Sequence, residues 1–413
     1  MVRNRMRRAV LILGAAGFCA SVPSVITPAA GQPGFNAPYI DVPSAVQRVA
    51  VFGSDDRREL PAAYQHLAQK IGVISDLVSR SQCTAFCLSG RVIATAAHCL
   101  FRTRDEALPD LRNFRFQLHG RPLASAARIA GAQSSASVAH VAAGSMSLSI
   151  RPPIEATKDW ALVRLDVPAC TAGGLPISQT TVDELASNAS AQPVYQAGYH
   201  RDFRGERLAL GGPCHVSRNF EHAGWKTISG DFSGSDQLIL HSCDTGGASS
   251  GSPLLIEGAN GPEVVGINVG TYVQSRVLMV NGAVAHRYQA ENVANTGVSA
   301  RLLQEALDTL ELAQFLTTRT DMRELQLLLS GLGIYSGARD GLYGAASRSA
   351  IEAFERLEGR PTTGLATAGL LGRLRAHNVA RAPVARAPTQ AAIETGSVRG
   401  LALTSSAKSK SRP

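Results

Sequence analysis

The sequence predicts a mainly β protein, a barrel or sandwich of short strands, followed by a small three-helix unit and a basic tail. Three observations carry that prediction. From Pro193 to Gly270 short apolar runs alternate with Gly/Pro turns, the rhythm of an all-β domain. From Met322 to Leu374 apolar residues instead return at helical spacing. After Ala376 the chain turns to Ala, Pro, Arg, Ser and Thr without periodicity, a composition that does not bury a core.

The chain has 413 residues, enough for several domains, and is 45% hydrophobic. Its formal charge of +9 is concentrated at the ends. Arg3, Arg5, Arg7 and Arg8 precede every acidic residue, while Arg381, Arg386, Arg399, Lys408, Lys410 and Arg412 outweigh Glu394. The body between them is near neutral. A nucleic-acid partner is therefore excluded, since its footprint needs basic residues clustered on a folded face.

Residues 1–31 read as a secretory signal peptide: a basic start, an apolar run from Ala9 to Ala20, then small residues and proline up to Gly31. The apolar run is too short to span a bilayer and no later segment is apolar enough. We expect an exported protein without a transmembrane anchor, in the periplasm, cell wall or exterior. Without Cys19, six of the seven cysteines remain: Cys83, Cys87, Cys99, Cys170, Cys214 and Cys243. An even number in an exported chain points to disulfides, with buried free thiols as the alternative. Cys83 with Cys99 and Cys214 with Cys243 are the candidate pairs; spacing does not place Cys87 and Cys170. No Cys/His cluster shows metal-ligand spacing except the isolated Cys83-x-x-x-Cys87, so no metal or organic cofactor is expected.

Residues 32–47, with Pro33, Pro38 and Pro43, read as a linker or pro-segment. Val49, Val51 and Phe52 then precede Gly53-Ser54-Asp55-Asp56-Arg57. Val92-Ile93-Ala94-Thr95-Ala96-Ala97 is a buried-strand pattern ending at His98. A Cys83–Cys99 bridge would fix the turn carrying that imidazole and add about 2–4 kcal/mol. Residues 103–158 read as strands with surface loops. Asp159 opens the apolar run Trp160-Ala161-Leu162-Val163, which draws its carboxylate inward, where an imidazole N–H is a suitable partner. Asp166 competes locally but sits near Pro168 at the solvated end.

Strand-like runs follow at Val194-Tyr195-Gln196, Cys214-His215-Val216, Leu238-Ile239-Leu240-His241 and Val264-Val265-Gly266-Ile267-Asn268. Between the last two lies Cys243-Asp244-Thr245-Gly246-Gly247-Ala248-Ser249-Ser250-Gly251-Ser252-Pro253. Small residues there allow an exposed hydroxyl with backbone N–H groups converging on an oxyanion. Alone the stretch is a Gly/Ser-rich turn; with His98 and Asp159 it completes a Ser, His and Asp set. Val298 to Leu312 reads as a helix with Leu302, Leu303, Ala306, Leu307 and Leu310 on one face. Three more helices present Met322, Leu325, Leu328, Leu329 and Leu332, then Ile351, Phe354 and Leu357, then Leu370, Leu371 and Leu374.

Five separated stretches carry a family resemblance: Val51-Phe52-Gly53-Ser54-Asp55-Asp56-Arg57, Cys83-Thr84-Ala85-Phe86, Thr95-Ala96-Ala97-His98-Cys99, Asp159-Trp160-Ala161-Leu162 and Ser250-Gly251-Ser252-Pro253. The span 48–316 resembles the trypsin/chymotrypsin superfamily of serine proteases, and within it the bacterial glutamyl-endopeptidase-like branch. The resemblance implies a double six-stranded β-barrel with the site between the barrels. It makes Ser250 the nucleophile, His98 general base and then acid, and Asp159 the orienting partner. The Ala248 and Ser250 N–H groups would form the oxyanion hole, with alanine where the family usually has glycine. Gly247-Ala248-Ser249 offers a rival register, but Ser-Gly-Ser-Pro continues only from Ser250.

The chain lacks a basic residue followed by Ile-Val-Gly-Gly, so activation through a newly inserted N-terminus is not expected. Asp244 stands where trypsin-like enzymes place the acid that selects Lys or Arg, although an Asp-Thr pair is frequent there in this branch without that role. Asn268 occupies the place of the branch's pocket histidine, and a neutral amide does not balance a substrate carboxylate. Asp244, Thr245, Asn268 and Gly270 are carried as pocket candidates. Residues 317–375 resemble the peptidoglycan-binding-like helical domain through Arg323-Glu324-Leu325-Gln326, Asp340-Gly341-Leu342-Tyr343-Gly344 and Ile351-Glu352-Ala353-Phe354. Residues 376–413 read as a disordered basic tail. The expected protein is an exported serine endopeptidase acting on protein or peptide substrate and localised by peptidoglycan. The alternatives are a catalytically impaired binding protein on the same scaffold and a peptidoglycan hydrolase, for which no zinc-ligand or paired-carboxylate constellation speaks.

Overall fold

Two antiparallel sheets organise the chain from Tyr39 to Ser299. The computed structural model describes residues 39–47, 50–101, 110–131, 140–203, 207–220, 224–280, 283–360 and 362–381. The expected signal peptide, residues 32–38 of the expected linker and residues 382–413 of the expected tail lie outside them.

In chain order the strands are β1 (Tyr39–Gln47), β2 (Arg58–Glu59), β3 (Ile71–Asp76), β4 (Gln82–Cys87), β5 (Val92–Thr95), β6 (Phe114–Leu118), β7 (Ala127–Arg128), β8 (Val141–Ala143) and β9 (Ala161–Arg164). Then come β10 (Val194–Tyr199), β11 (Leu208–Cys214), β12 (Leu238–His241), β13 (Pro253–Gly258), β14 (Gly261–Val280) and β15 (Ala283–Ser299). The helices are α1 (Val182–Ser187), α2 (Trp225–Asp231), α3 (Leu303–Leu312), α4 (Arg319–Gly331), α5 (Ala345–Leu357) and α6 (Ala368–Arg381).

One sheet runs β7-β6-β3-β4-β5-β9-β8; the other runs β12-β15-β14-β13-β10-β11-β2, with β1 paired to β14. Among the described residues they hold seven and eight strands rather than six each. The surplus comes from short edge strands and from β1, which turns the expected linker into a strand with Tyr39 opposite Leu278 and Gln47 opposite Thr271. The hairpin of β14 and β15 also extends well past the expected Val264–Asn268 run.

The expected helix after Gly297 begins later. Val298 and Ser299 still pair within the sheet, and α3 starts at Leu303 after a short 3-10 turn. Leu303, Ala306, Leu307 and Leu310 are buried beside Val92, Ala94 and Leu162, each leucine contributing about 1.5–3 kcal/mol. Leu302 lies in the 3-10 turn and remains 37% exposed.

In α4–α6 the core comprises Met322, Leu325, Leu329, Ile351, Phe354, Leu370, Leu371 and Leu374. Leu328 and Leu332 pack at its margin, while Leu357, in the last turn of α5, is 63% exposed. The motif residues act structurally: the Gln326 side chain donates to Leu342 O (2.9 Å) and accepts from Gly341 N–H (2.8 Å), fixing the turn before α5. This unit is docked on the β domain. Buried Arg348 of α5 donates to the Val141 and Ala143 carbonyls of β8, at 2.8 and 3.0 Å.

Candidate active site

His98 and Asp159 meet because their strands pair. β5 and β9 are antiparallel with Thr95 opposite Ala161, so the residues just after β5 and just before β9 share one end of the sheet. His98 sits in the 3-10 turn Ala97–Cys99 and Asp159 closes the turn Ala156–Lys158. The carboxylate holds the histidine twice: His98 N–H donates to Oδ1 (2.9 Å) and ring Nδ1 donates to Oδ2 (2.6 Å). This arrangement leaves Nε2 as the ring's proton acceptor, and Nε2 is buried without a protein partner among the described residues. Cys99 is disulfide-bonded to Cys83 in β4, which secures the turn.

Ser250 lies on the loop between β12 and β13, and that loop is bound to the other sheet through Thr84 of β4. Thr84 N–H is shared between the Ala248 and Ser250 carbonyls (2.8 and 2.9 Å), and its hydroxyl donates to Ala248 O (2.8 Å). The same hydroxyl oxygen accepts Tyr199 N–H of β10 at 2.9 Å. Thr84 thus joins both sheets to the serine loop, a role its small polar side chain in an apolar strand did not announce. Gly251 has φ +84°, and a Cβ there would collide with Thr84 O and Thr95 Oγ1. Only glycine brings the loop this close to the His98 strand.

Ala248 has φ +78°, left-handed backbone in a residue with a Cβ. Neither its N–H nor that of Ser250 donates to any acceptor among the described residues. Both remain available to a ligand oxygen. Ser249 is fully buried, with Asn268 Nδ2 donating to its carbonyl (3.1 Å) and hydroxyl (3.4 Å), whereas Ser250 retains 6% exposure.

The family model of the trypsin-like peptidase domain matches residues 83–267, which span His98, Asp159 and the Ser250 loop. This chain carries a trypsin-like peptidase domain. The peptidoglycan binding domain family matches residues 318–374, the unit of α4–α6. Among solved structures the chain is similar to a Glu endopeptidase determined in complex with MPD, at 17% identity and a TM-score of 0.39, covering 61% of this chain and 94% of that one. No curated protein matches the chain.

The peptidase domain places the pocket candidates unevenly. Asn268 lies against Ser249, and its carbonyl accepts Gly251 N–H at 2.8 Å. Gly270 follows across an irregularity in the β14–β15 register. Asp244 and Thr245 are engaged elsewhere. The Asp244 oxygens accept Phe52 N–H and Asp56 N–H, each at 2.8 Å. Thr245 N–H donates to Ala50 O, and its hydroxyl oxygen accepts Ala50 N–H. Asp244 is thus no free pocket acid: its buried carboxyl oxygens are engaged by backbone donors of the segment 50–56. Burial and this carboxylate together raise the pKa of Asp56.

Below the loop, Arg57 is gripped by Asp55 and Asp202, and its side-chain bonds hold both carboxyls below the ordinary range. A Cβ at Gly246 would run into this network. Cys214 and Cys243 are bonded, fixing the start of the loop, and Cys87 pairs with Cys170. Cys83, His98 and Cys99 present donor atoms within 4.8 Å of one another, but the two sulfurs are joined and offer no thiolates to a metal.

Proposed function

We propose that this protein is an exported serine endopeptidase that cleaves protein or peptide substrates and is retained at the cell wall by α4–α6. The observation that carries the reading is the doubly bonded His98–Asp159 pair, which leaves Nε2 as acceptor, beside a serine loop with two unengaged N–H groups. Ser250 Oγ attacks the scissile carbonyl carbon as its proton passes to His98 Nε2. The oxyanion is received by the Ala248 and Ser250 N–H groups. The C–N bond then breaks, Nε2–H protonates the leaving amine, and water repeats the sequence on the acyl-enzyme. Asp159 keeps the ring in the required tautomer and stabilises the imidazolium. Export is supported by the signal-like start and by the disulfides. Peptidoglycan is the proposed polymer partner.

Reaction with a fluorophosphonate probe followed by peptide mapping tests this. An adduct on Ser250 that disappears in His98→Ala is expected. An adduct on Ser249, or none on the folded, disulfide-intact protein, overturns the assignment. The strained φ of Ala248 favours one second reading, a scaffold with impaired chemistry; it predicts probe labelling with little peptide turnover.

A further inference from the structure

A cavity of about 560 Å³ opens on the Ala248 side of the serine loop. Its wall combines Tyr199, His200 and Arg201 at the end of β10 with His119 and Arg121 beyond β6. It shares no residue with the Asn268–Gly270 strand. The chemistry of the wall is one-sided. Arg121 and Arg201 are exposed cations, and no acidic residue lines the cavity. Neither guanidinium pairs with a carboxylate among the described residues; Arg201 has a single long bond, to Arg80 O at 3.3 Å. The neighbouring Asp202 is held by Arg57.

Two imidazoles and a phenol line the same wall. His119 Nδ1 and the Tyr199 hydroxyl are 2.8 Å apart. His200 is buried, and its Nδ1 has no partner among the described residues. The Arg201 backbone is tied to the serine loop through its N–H to Gly247 O. The site is therefore a hollow whose two cations meet no carboxylate among the described residues, joined through Arg201 to the loop that carries the proposed oxyanion donors.

We propose that this cavity is a substrate subsite for a carboxylate, on the leaving-group side of the scissile bond. The assignment rests on the serine-peptidase reading above: with the carbonyl oxygen on the Ala248 N–H and the acyl part towards Asn268, the residues after the bond enter the cavity. Guanidinium recognises carboxylate by paired N–H···O bonds. Two sources supply that group, an aspartate or glutamate side chain and the C-terminal carboxylate of a short peptide.

The test uses internally quenched peptides that place Glu, Gln or Lys at each of the positions following the cleaved bond, each as free acid and as amide. We expect kcat/KM for Glu to exceed Gln by about tenfold at one position, as one charge-assisted contact gives. Preference for Glu in the amides identifies the side chain; preference for free acids regardless of residue identifies the terminus. Arg121→Gln/Arg201→Gln should collapse the Glu/Gln ratio towards one. Arg121→Glu/Arg201→Glu should reverse the preference to Lys, a gain that a misfolded protein does not produce. Product peptides carrying Glu or Gln, titrated calorimetrically into Ser250→Ala protein, report the same preference without turnover. Equal handling of Glu, Gln and Lys, or a preference unchanged in both double variants, overturns the subsite. Absence of probe labelling at Ser250 would instead remove the peptidase reading, and the titration would then judge the cavity by itself.

Discussion

Replacing Ala248 by glycine probes the backbone on which the proposed oxyanion donors depend. At φ +78° the methyl group of Ala248 costs about 1–2 kcal/mol. The residue cannot relax freely, because Thr84 holds its carbonyl through both N–H and hydroxyl at 2.8 Å. Glycine removes the steric cost but adds about 0.5–1 kcal/mol of unfolded-chain freedom. The folded protein should therefore be unchanged or up to ~1.5 kcal/mol more stable. The steric cost alone acts within the folded protein, where it biases how often the peptide group turns its N–H away from the proposed oxyanion position, and 1 kcal/mol is about a fivefold change in such an equilibrium. We expect Ala248→Gly to give kcat/KM equal to the parent or up to about fivefold higher, with KM little altered. Ala248→Val, β-branched in left-handed backbone, should lower turnover by about 10²-fold through a displaced donor. Peptide turnover and calorimetric unfolding of the three proteins make the comparison. A glycine variant that folds normally yet loses tenfold or more in turnover would refute the strain argument, since only a methyl group was removed.

Three further outcomes follow from the geometry. Asp244→Ala leaves the N–H groups of half-buried Phe52 and exposed Asp56 without their acceptor, a loss of about 1 kcal/mol each, since water can reach them. Brief trypsin exposure should then nick after Arg57 or Arg58, and an uncut segment would contradict the clamp. Arg348→Ala removes the two bonds to β8, so hydrogen exchange at 141–143 should accelerate and α4–α6 should melt separately; a single unchanged transition would count against a fixed interface. Burial lowers the pKa of His140 and His200 to about 4, while the unfolded chain protonates near 6.5. The unfolded state therefore binds more protons below that value. Stability contributed by these residues is complete above pH ~6.5 and declines as the pH falls towards 4. A thermal midpoint that stays level from pH 7 to 4.5 would be the contrary result.

His98 and Asp159 stood out in the sequence because each bounds a short apolar run, a local pattern. What placed them together, the β5–β9 pairing, has no local signature. Asp244 shows the opposite case. Its position before Ser250 suggests a pocket acid, yet its partners lie 192 and 188 residues away in a stretch whose backbone, not its side chains, makes the bonds. Backbone donors leave no residue type to read. Thr84 was equally silent, since a threonine in a strand has the same pattern whether its hydroxyl bridges two sheets or packs against one. Leu302 and Leu357 were misplaced because helical periodicity extends on paper through the end turns, whereas Leu302 lies in the 3-10 turn before α3 and Leu357 is the exposed last residue of α5.

The clamp at Asp244 makes the serine loop tolerant of ragged ends. Its donors are peptide N–H groups at Phe52 and Asp56, interior to the chain, so no α-amino group has to be liberated, protonated or threaded inward. Removal of any length of chain ahead of Ala50 leaves every one of these bonds in place. Chains trimmed to different lengths would keep this clamp, while those cut beyond Tyr39 would lose part or all of the β1 pairing to β14.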